Sequence, residues 1–406
     1  MKVTHITTID SGGAYKAAER LHEGMRSYGI ESYILVRTKR NRESVAQPVF
    51  RSRIGENVSR VKNVLNMMKA DGKITGDFLG TDISGNTFIQ KADIIVLHWV
   101  NSFLSPGELR RLFLLCKPII WVMHDMWLFT GGCHIDGYCG RYVYGCGNCP
   151  QVKHPGEKDL SWRNFKIKEN LLREMQGVIV GPSRWVAECA SQSSILKGKN
   201  IYHIPNMLNT NVFRHLGGKE KLKARYRLDA DRTVLLFGAA DAGTGNANKG
   251  FRYLQKALEM LNKEEYQLAI FGNIDKMMEG LGEDHVRQLG YITDEQVLTE
   301  IYNAVDLFIT PSLQESFGYT TCEAMACGTP VVAFDIGGLR DQITHKKTGY
   351  LARRADVEDL AAGIVYCRQN IQVMREELSG ISQRYSYESI MLQYVELMER
   401  LLYDMT

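Results

Sequence analysis

The chain has 406 residues, of which 44% are hydrophobic and 24% are charged, and its formal net charge is +4. At about 150 residues per domain this length predicts two or three domains, and so small a net charge does not indicate a nucleic-acid partner. No apolar run reaches the ~18 residues that a membrane span needs. The start, MKVTHITTID, lacks the basic and apolar blocks of a secretory signal, so we expect a cytoplasmic protein.

The first half of the chain alternates short apolar strands with helical segments. The predicted strands are KVTHITTI, ESYILVR, ADIIVLH, PIIWVM, GVIVG and NIYHIP. Between the first two, AYKAAERLHEGMRSYG has the apolar spacing of a helix. Such alternation predicts a parallel sheet that is covered by helices on both faces.

A polar and charged stretch with little strand character interrupts this pattern at residues 206–232. The alternation then restarts with TVLLFG, YQLAIFG, VRQLGY, DLFITPS and TPVVAF, and the chain closes on an amphipathic helical pattern. The sequence therefore predicts two Rossmann-like, doubly wound α/β domains at residues 1–208 and 209–385. We expect the terminal helix, residues 386–406, to pack back on the first domain.

Polar, glycine-rich loops follow the predicted strands of both domains. Gly12 and Gly13 follow the first strand, His124 follows PIIWVM, and Lys249 ends the loop GAADAGTGNANKG. Ligands of open parallel sheets bind at the carboxyl ends of the strands. Two sheets that face each other with these edges would enclose a cleft, which is where we expect the chemistry.

The segment QESFGYTTCEAMACGTP places two glutamates, Glu315 and Glu323, where a buried strand crosses into a helix. The free backbone N–H groups of that helix start, near Phe317, Gly318 and Tyr319, suit a phosphate. Carboxylates beside a phosphate are repulsive unless they bind another part of the ligand, and a vicinal diol fits them. Diols on either side of a diphosphate describe a nucleotide sugar. The alternative is a glutamate pair that only stabilises the helix start.

These residues resemble a known family. PSLQESFGYTTCEAMACGTPVVAFDIGG is similar to the signature of the retaining family 4 glycosyltransferases (glycosyl transferases group 1), which have the GT-B fold. NKGF, SGGA, HDMW, GPSRW and IPNMLNTNVF match further landmarks, so the resemblance covers essentially the whole chain. It implies transfer of a sugar, with retention, from a nucleoside-diphosphate sugar to a hydroxyl of a sugar or lipid-linked saccharide. It also implies a role in cell-surface polysaccharide or glycolipid synthesis and no catalytic metal.

The resemblance implies a role for each residue of the second domain's site. Glu323 would hold the ribose hydroxyls, Glu315 would lie by the hydroxyls of the donor sugar, and Lys249 would bind the diphosphate. The amides of Phe317, Gly318 and Tyr319 would stabilise the negative charge of the leaving diphosphate. Family members commonly carry an arginine a few residues before the lysine, and the loop GAADAG has none.

In the first domain the resemblance implies that Gly12 and Gly13 let their loop approach the phosphates or the acceptor. It also implies that His124 faces the donor sugar. From the residues alone, a histidine beside tryptophans is more often a packed one. Asp125 either orients His124 or caps the next turn.

Four of the nine cysteines crowd into CHIDGYCGRYVYGCGNCPQ, with the spacing C-x5-C-x6-C-x2-C. In a reducing compartment such a cluster favours a metal over disulfides, and we expect a structural zinc, with His134 or His154 as substitute ligands. Disulfides and packed free thiols are the alternatives. The predicted ligands are Cys133, Cys139, Cys146 and Cys149.

Residues 37–69 carry nine basic and two acidic side chains, with apolar residues at helical spacing from Ile54 to Met68. This pattern suits a helix that lies on an anionic membrane, where lipid-linked acceptors reside, and would attach the protein peripherally. An amphipathic helix that packs its apolar face on the first domain is the alternative.

Three other functions fit the sequence less well. A dehydrogenase needs G-x-G-x-x-G after a strand, and DSGGAYKAA does not supply it. A zinc-bearing nucleic-acid binder needs a basic face beside the cysteines, where only Arg141 and Lys153 stand. A sugar-nucleotide epimerase or hydrolase on the same two-domain plan remains, and the seven-residue spacing between the glutamates favours transfer over it.

Overall fold

The computed structural model describes residues 1–50, 52–74, 76, 78–241, 247–273 and 285–404. Part of the predicted loop GAADAGTGNANKG, residues 242–246, and Arg51 of the basic region lie outside this range. The chain divides into two compact units. Unit 1 comprises Met1–Met207 with Tyr387–Thr406, and unit 2 comprises Leu208–Ser386.

Unit 1 contains a parallel sheet, formed in the described residues by seven strands in the order β3-β2-β1-β4-β5-β6-β7. The strands are β1 (Lys2–Ile9), β2 (Glu31–Thr38), β3 (Gln47–Pro48), β4 (Ile94–Leu97), β5 (Ile119–Val122), β6 (Gly177–Gly181) and β7 (Ile201–His203). Its helices up to residue 207 are α1 (Gly12–Ser27), α2 (Arg53–Met68), α3 (Thr87–Lys91), α4 (Pro106–Phe113), α5 (Leu160–Arg173) and α6 (Arg184–Gln192).

The described strands of unit 2 form a second parallel sheet in the order β10-β9-β8-β11-β12-β13. They are β8 (Thr233–Asp241), β9 (Tyr266–Asn273), β10 (Val286–Gly290), β11 (Leu307–Thr310), β12 (Val331–Phe334) and β13 (Gly349–Ala352). The helices are α7 (Lys219–Arg225), α8 (Phe251–Glu259), α9 (Glu295–Ala304), α10 (Tyr319–Ala326), α11 (Leu339–Gln342), α12 (Val357–Gln369), α13 (Ile371–Glu377) and α14 (Ile381–Arg384).

The last helix, α15 (Tyr387–Tyr403), belongs to unit 1. Its buried apolar side chains, from Ile390 to Leu401, share one core cluster with Leu21 and Met25 of α1. The Tyr387 hydroxyl also donates to the Glu23 carboxylate at 2.7 Å. Burying this face gives the helix a stability that its isolated sequence would not provide.

The predicted fold class is confirmed, because both sheets are parallel, and the described helices and strands alternate along the chain. β4, β5, β11 and β12 are buried at every residue, as strands covered on both faces must be. The short strands β3 (QP) and β13 (GYLA) were not predicted. In the described part of the chain, no helix combines the length and the apolar character that crossing a membrane demands.

Each sheet reverses its strand order at one place, between β1 and β4 in unit 1 and between β8 and β11 in unit 2. At such a switch point the loops leave the sheet in opposite directions and open a crevice at the carboxyl ends of the strands. The glycine pair, Lys249 and the glutamate segment follow β1, β8 and β11, whereas His124 and the cysteine loop follow the neighbouring strand β5.

Candidate functional site

In unit 2, Lys249 ends the 3-10 turn Ala247–Lys249, which leads from β8 into α8. Gly250 caps α8 with a positive φ of 72°, and a Cβ there would overlap the carbonyl oxygen of Pro311. The turn is tied to the loop after β11, because the Asn248 amide donates to the Gln314 carbonyl oxygen at 2.7 Å. Glycine therefore allows the lysine turn to lie directly against the glutamate loop.

The structure pairs two of the predicted site residues. The Lys249 ammonium donates to the Glu315 carboxylate, with 2.8 Å between Nζ and Oε2. Both side chains are half-buried, with 32% and 21% of their surfaces exposed. An ion pair in this position is screened less than one in open solvent. The sequence did not predict this contact, since the two residues were assigned to different parts of the ligand.

The loop that carries Glu315 is held by hydrogen bonds from the segment that follows β12. The Gly338 N–H donates to the Glu315 carbonyl oxygen at 2.9 Å, and the Gln342 amide donates to the Phe317 carbonyl oxygen at 2.7 Å. A Cβ at Gly337 would overlap the Glu315 carbonyl oxygen. The DIGG segment after β12 therefore supports the glutamate loop by close backbone approach.

Helix α10 begins at Tyr319, within the predicted range, and Gly318 caps it in the left-handed region at a φ of 88°. A glycine has no side chain with which to bond the first N–H groups, and α10 has no side-chain cap. Its amino end therefore presents backbone donors and a partial positive charge. The Phe317 and Tyr319 rings, 5.1 Å apart and edge to face, pack beside this end.

Glu323 lies one turn further along α10 and is 2% exposed. The Tyr302 hydroxyl donates to its Oε2 at 3.4 Å, and Tyr302 itself is fully buried among aromatic rings. A carboxylate that is held by packing in this way offers hydrogen-bond acceptors in a fixed direction. The structure thus gives Glu323 a rigid setting and Glu315 a charged partner.

Arg354 is a cation near this loop that sequence reasoning missed. It follows β13, and its Nε donates to the Leu313 carbonyl oxygen at 3.3 Å. The N–H of the same Leu313 donates to the Asn248 carbonyl oxygen at 2.8 Å, so this loop connects the arginine to the lysine turn. The arginine stands 105 positions after Lys249 in the sequence, and only recognition of β13 could have placed it.

In unit 1, Gly12 and Gly13 form the exposed start of α1, directly after β1. Gly12 has a φ of 82°, and a Cβ at either glycine would meet no atom within 4 Å. The preceding Asp10 is buried, and its carboxylate accepts from the backbone N–H groups of Arg40 and Asn41 at 2.7 and 2.9 Å. Space thus remains open above the glycine loop, while Asp10 fixes the basic loop after β2.

His124 follows β5 and joins a chain of histidines. Its Nε2 lies 2.9 Å from Nδ1 of His98, and Nε2 of His98 lies 3.0 Å from Nδ1 of His5. His5 and His98 are buried, and His124 is partly exposed. Burial lowers the pKa of His124 to about 4 and that of His5 to about 3, and burial with His124 nearby lowers the pKa of His98 well below its usual value. All three rings are therefore neutral at physiological pH.

The role of Asp125 is decided by its contacts. Its Oδ1 accepts from the Trp127 N–H at 2.8 Å, and its Oδ2 lies 3.0 Å from Nε1 of Trp99 and 2.6 Å from Nδ1 of His134. Asp125 therefore caps the turn that follows it and holds His134, whereas His124 is held by His98. The adjacent positions of Asp125 and His124 in the sequence left these two roles open.

The C-terminal part of the chain matches a known family. Residues 232–370 match the model of Glycosyl transferases group 1. Unit 2 carries a glycosyl transferases group 1 domain. Lys249, Glu315, Glu323 and Arg354 all lie inside the matched range.

Two curated relatives of this chain extend the comparison. Mannosylfructose-phosphate synthase of Agrobacterium fabrum is 28% identical over 232 residues, which cover 52% of this chain and 50% of the relative. The chain therefore matches about half the length of that relative. The putative colanic acid biosynthesis glycosyl transferase WcaC of Escherichia coli is 23% identical over 97% of this chain and 98% of its own length.

A solved structure has a similar fold. The Anabaena protein HepE, solved in complex with UDP-glucose, superposes with a TM-score of 0.69 over 98% of this chain and 100% of its own. At 17% sequence identity this similarity shows the fold alone. Together with the two parallel sheets, it confirms the GT-B fold that the glutamate segment predicted.

The zinc site predicted for the cysteine loop, outside the glycosyl transferases group 1 domain, stays a prediction. Among the described residues, no three histidine, cysteine, aspartate or glutamate side chains converge to hold a metal ion. The four cysteines, Cys133, Cys139, Cys146 and Cys149, are free thiols. Two of their sulfurs have other partners, because Cys146 Sγ accepts from the Gly131 N–H at 3.1 Å and Cys149 Sγ accepts from the Gln151 N–H at 3.5 Å.

Helix α2 of unit 1 has an inverted arrangement. Its apolar side chains are exposed, whereas its polar Ser59 and Asn66 are buried. The Asn66 amide exchanges hydrogen bonds of 2.8 and 3.0 Å with the backbone of Leu79. The exposed apolar side chains are 43% to 76% accessible and comprise Ile54, Val58, Val61, Val64, Leu65, Met67 and Met68. The alternative of an amphipathic helix packed by its apolar face is therefore wrong.

A basic groove adjoins the amino end of α2. It has a volume of about 490 Å³ and includes Ser52 and Glu56 of the first helical turn. Burial, with Arg40 and Arg60 nearby, lowers the pKa of Arg37. The cations that line the groove are Arg37, Lys39, Arg40 and Arg42.

Proposed function

We propose that the chain is a retaining glycosyltransferase that moves a sugar from a nucleoside-diphosphate sugar to a hydroxyl acceptor. One observation carries the proposal. At the switch point of unit 2, the Lys249–Glu315 ion pair lies on the loops that follow β8 and β11, and Glu315 precedes the uncapped start of α10. A cation and free backbone donors suit a diphosphate, and the carboxylates suit the hydroxyls on either side of it.

The proposed reaction follows from these charges. The bond between the anomeric carbon and the diphosphate oxygen breaks, and the sugar gains oxocarbenium character. The acceptor oxygen forms its new bond on the same face of the sugar, and the acceptor proton passes to the departing diphosphate. Lys249 and the amides at the start of α10 stabilise the charge on the leaving group where it is largest, in the transition state.

The residues take separate roles in this proposal. Glu323, rigid and buried, accepts hydrogen bonds from the ribose hydroxyls. Glu315 lies by the donor sugar and keeps Lys249 in place until the diphosphate takes over that contact. His124 contributes a neutral hydrogen-bonding group to the donor sugar, and Gly12 and Gly13 leave room for the ligand. None of these roles calls for a catalytic metal.

A uridine donor is the first to test, because HepE, which shares the fold, was solved with UDP-glucose. A thermal-shift screen of UDP-, GDP- and ADP-sugars should raise the melting temperature with one of them. The active pair of donor and acceptor should yield a glycoside with the anomeric configuration of the donor, as read by NMR. Sugar release without acceptor would indicate a hydrolase, and a new isomer of the donor would indicate an epimerase.

We also propose that unit 1 docks on an anionic membrane through α2, where it meets a lipid-linked saccharide acceptor and serves cell-surface polysaccharide or glycolipid synthesis. The exposed apolar face can enter the interface between headgroups and acyl chains, while the basic groove at its amino end takes lipid phosphate. Each cation near an anionic surface contributes about 1 kcal/mol, and this part weakens with salt. The site of action is thus peripheral to the cytoplasmic face of a membrane.

Sedimentation with vesicles of phosphatidylcholine and phosphatidylglycerol tests the membrane surface. We expect binding at low salt, weaker binding at high salt, and a loss of binding in Val61→Asp. The matched control is Leu114→Asp, which places the same charge on another exposed apolar side chain, 71% accessible and remote from α2 in the sequence. Absence of low-salt binding, or equal binding by both variants, would reject the membrane role.

A further inference from the structure

The three histidines form a directed chain. His98 bonds to His5 through Nε2 and to His124 through Nδ1, and the adjacent rings are close to parallel, at 25° and 17°. A neutral imidazole carries one N–H, so His98 donates in one of these bonds and accepts in the other. The direction of the whole chain is therefore a single choice between two states.

The buried end of the chain decides between these states. Nε2 of His5 is buried and has no hydrogen-bond partner among the described residues. If each N–H pointed inward, toward His5, then Nδ1 of His5 would accept and its Nε2 would carry an N–H without a partner. If each N–H points outward, toward His124, then Nδ1 of His5 donates and its Nε2 is an acceptor without a partner. Orphaned buried N–H groups are the rarer and costlier of the two. The outward direction is therefore favoured, with Nδ1–H of His5 donating to His98 and Nδ1–H of His98 donating to His124.

We propose that His5 and His98 are positioning residues that hold His124 as the Nδ1–H tautomer. Nε2 of His124 is then occupied as an acceptor, and Nδ1–H becomes a permanent donor. This inference rests on the proposed function, in which His124 contacts the donor sugar, and it defines that contact. His124 gives a hydrogen bond to a sugar oxygen and does not act as a base there.

The surroundings of the chain support this assignment. His22 is the next ring, edge-on to His5 at 6.3 Å between centroids, but its Nδ1 lies 2.8 Å from the Ser32 hydroxyl and is not part of the chain. On the outer side, Asp125 is engaged by Trp99, Trp127 and His134. Asp125 therefore does not accept from the Nδ1–H of His124, and this N–H can donate to a ligand.

Long-range ¹H–¹⁵N spectra of protein labelled at histidine read the tautomers directly, without any assay of activity. We expect Nδ1–H at His5, His98 and His124 of the wild-type protein near neutral pH. An Nε2–H signal at His124 would overturn the proposal. The spectrum reports the tautomer whether or not the protein transfers sugar. If the proposed function alone is wrong, the protein will show the expected tautomer but no transferase activity.

Two matched substitutions test the effect on turnover. His98→Asn can keep an N–H near the position of Nδ1, whereas His98→Phe removes it. Loss of one neutral hydrogen bond corresponds to about a three- to tenfold change in rate, so His98→Phe should lower kcat by that factor, leave the donor KM nearly unchanged and shift His124 toward Nε2–H. His98→Asn should restore both kcat and the tautomer.

His22→Asn is the control outside the chain and should leave the tautomer of His124 unchanged. Thermal melts of all variants separate unfolding from a change of tautomer. If His98→Phe and His98→Asn lower kcat equally while His124 keeps its tautomer, His98 only packs and the proposal fails. If His98→Phe does not fold, the wild-type spectrum alone still decides the direction of the chain.

Discussion

The two units place opposite kinds of side chain at the same point of the same sheet plan. Where the strand order reverses in unit 2, the loops carry the Lys249–Glu315 ion pair. Where it reverses in unit 1, β1 and the residues after β4 and β5 carry the neutral chain His5, His98 and His124. The comparison teaches that the fold fixes where a site can form, whereas the side chains decide whether it is charged or neutral. A charged site suits a leaving diphosphate, and a neutral donor suits a sugar hydroxyl.

Among the substitutions at the charged site of unit 2, removal of the Lys249 cation should lower kcat most. We expect Lys249→Ala to lower kcat by about 100-fold or more, because the lysine stabilises charge that develops in the transition state. Steady-state kinetics with a saturating acceptor measure this change. The control is Lys256→Ala, which changes an exposed lysine of α8, the helix that follows Lys249, and it should behave as wild type. A rise in KM alone would assign Lys249 to binding, and wild-type kinetics would remove it from the site.

The second largest effect is expected at the buried carboxylate of the same half. Glu323→Ala should weaken donor binding by about 1.5–3 kcal/mol, since a charge-assisted hydrogen bond to a ligand diol is lost. Calorimetric titration of the nucleoside diphosphate measures this loss. Tyr302→Phe removes only the phenol that donates to Glu323, and it should bind the nucleotide much as wild type does. Unchanged affinity in a folded Glu323→Ala variant would refute the ribose role.

Glu315→Gln tests the partner of the lysine. The amide keeps the shape of the side chain but gives up the ion pair, so we expect kcat to fall by about tenfold with little change in donor affinity. A double variant with Lys249→Ala measures the coupling, which should be less than additive because the two side chains contact each other. Strict additivity of the two changes would mean that they act independently.

The charged half could be predicted from sequence because its residues lie in one short motif and at one helix start. The link between Lys249 and Glu315 could not, since it depends on the close approach of Gly250 to Pro311 in the folded chain. Of the neutral histidine chain in unit 1, only His124 was predicted. His5, His98 and His124 stand far apart in the sequence, and only the register of β1 beside β4, and of β4 beside β5, brings them together.

Helices α2 and α15 show the same limit in another way. Both have helical apolar spacing and similar lengths, yet α15 buries its apolar face and α2 exposes it. Periodicity predicts that a face exists, but what covers the face depends on partners elsewhere in the chain. For α2 the informative residue was Asn66, whose amide matches the backbone of Leu79 and turns the polar side inward.

The two halves should also respond differently to acid. In the folded protein the pKa is about 3 for His5 and about 4 for His124 and His22, chiefly because of burial, whereas unfolded histidine titrates near 6.5. The unfolded state therefore binds more protons, and the free energy of unfolding falls as the pH drops from about 6.5 toward 4. The loss is up to about 1.4 kcal/mol per histidine and pH unit.

In unit 2, the carboxylate of Asp306, which is 15% exposed, has a different dependence on pH. Burial raises the pKa of Asp306, but Lys219 and further partners lower it more, so its net pKa lies below the usual value. The stability from this carboxylate is present above about pH 3.8 and is lost only below it. All five tryptophans lie in unit 1, so their fluorescence during urea unfolding at pH 7 and pH 5 follows that unit. Equal stability at both pH values would contradict neutral buried histidines.

The smallest effect on turnover is expected at the cysteine loop behind His124. Zinc binding there stays a prediction, and we expect about one zinc per chain in protein purified without chelator, held by the C-x2-C pair and its two companions. The N–H groups of Gly131 and Gln151 donate to the sulfurs of Cys146 and Cys149. Burial raises the pKa of the Cys146 thiol to about 11, so a metal must displace its proton to bind there. Cys146→Ser should lose the metal and melt at a lower temperature. Its kcat should change by less than about threefold, because the loop holds none of the charged side chains of the proposed donor site in unit 2.

Cys116→Ser, at an exposed cysteine outside the loop, is the control and should keep both the metal content and the melting temperature. Among the described residues, no three of the cysteine sulfurs lie close enough together to hold a metal ion. Metal binding must therefore rotate the cysteine side chains toward one another, and this should shift the melting temperature upward on addition of zinc to the metal-free protein. Four thiols that titrate freely in the folded, metal-free protein, with no such shift, would show that the loop is held by its glycine turns and hydrogen bonds alone.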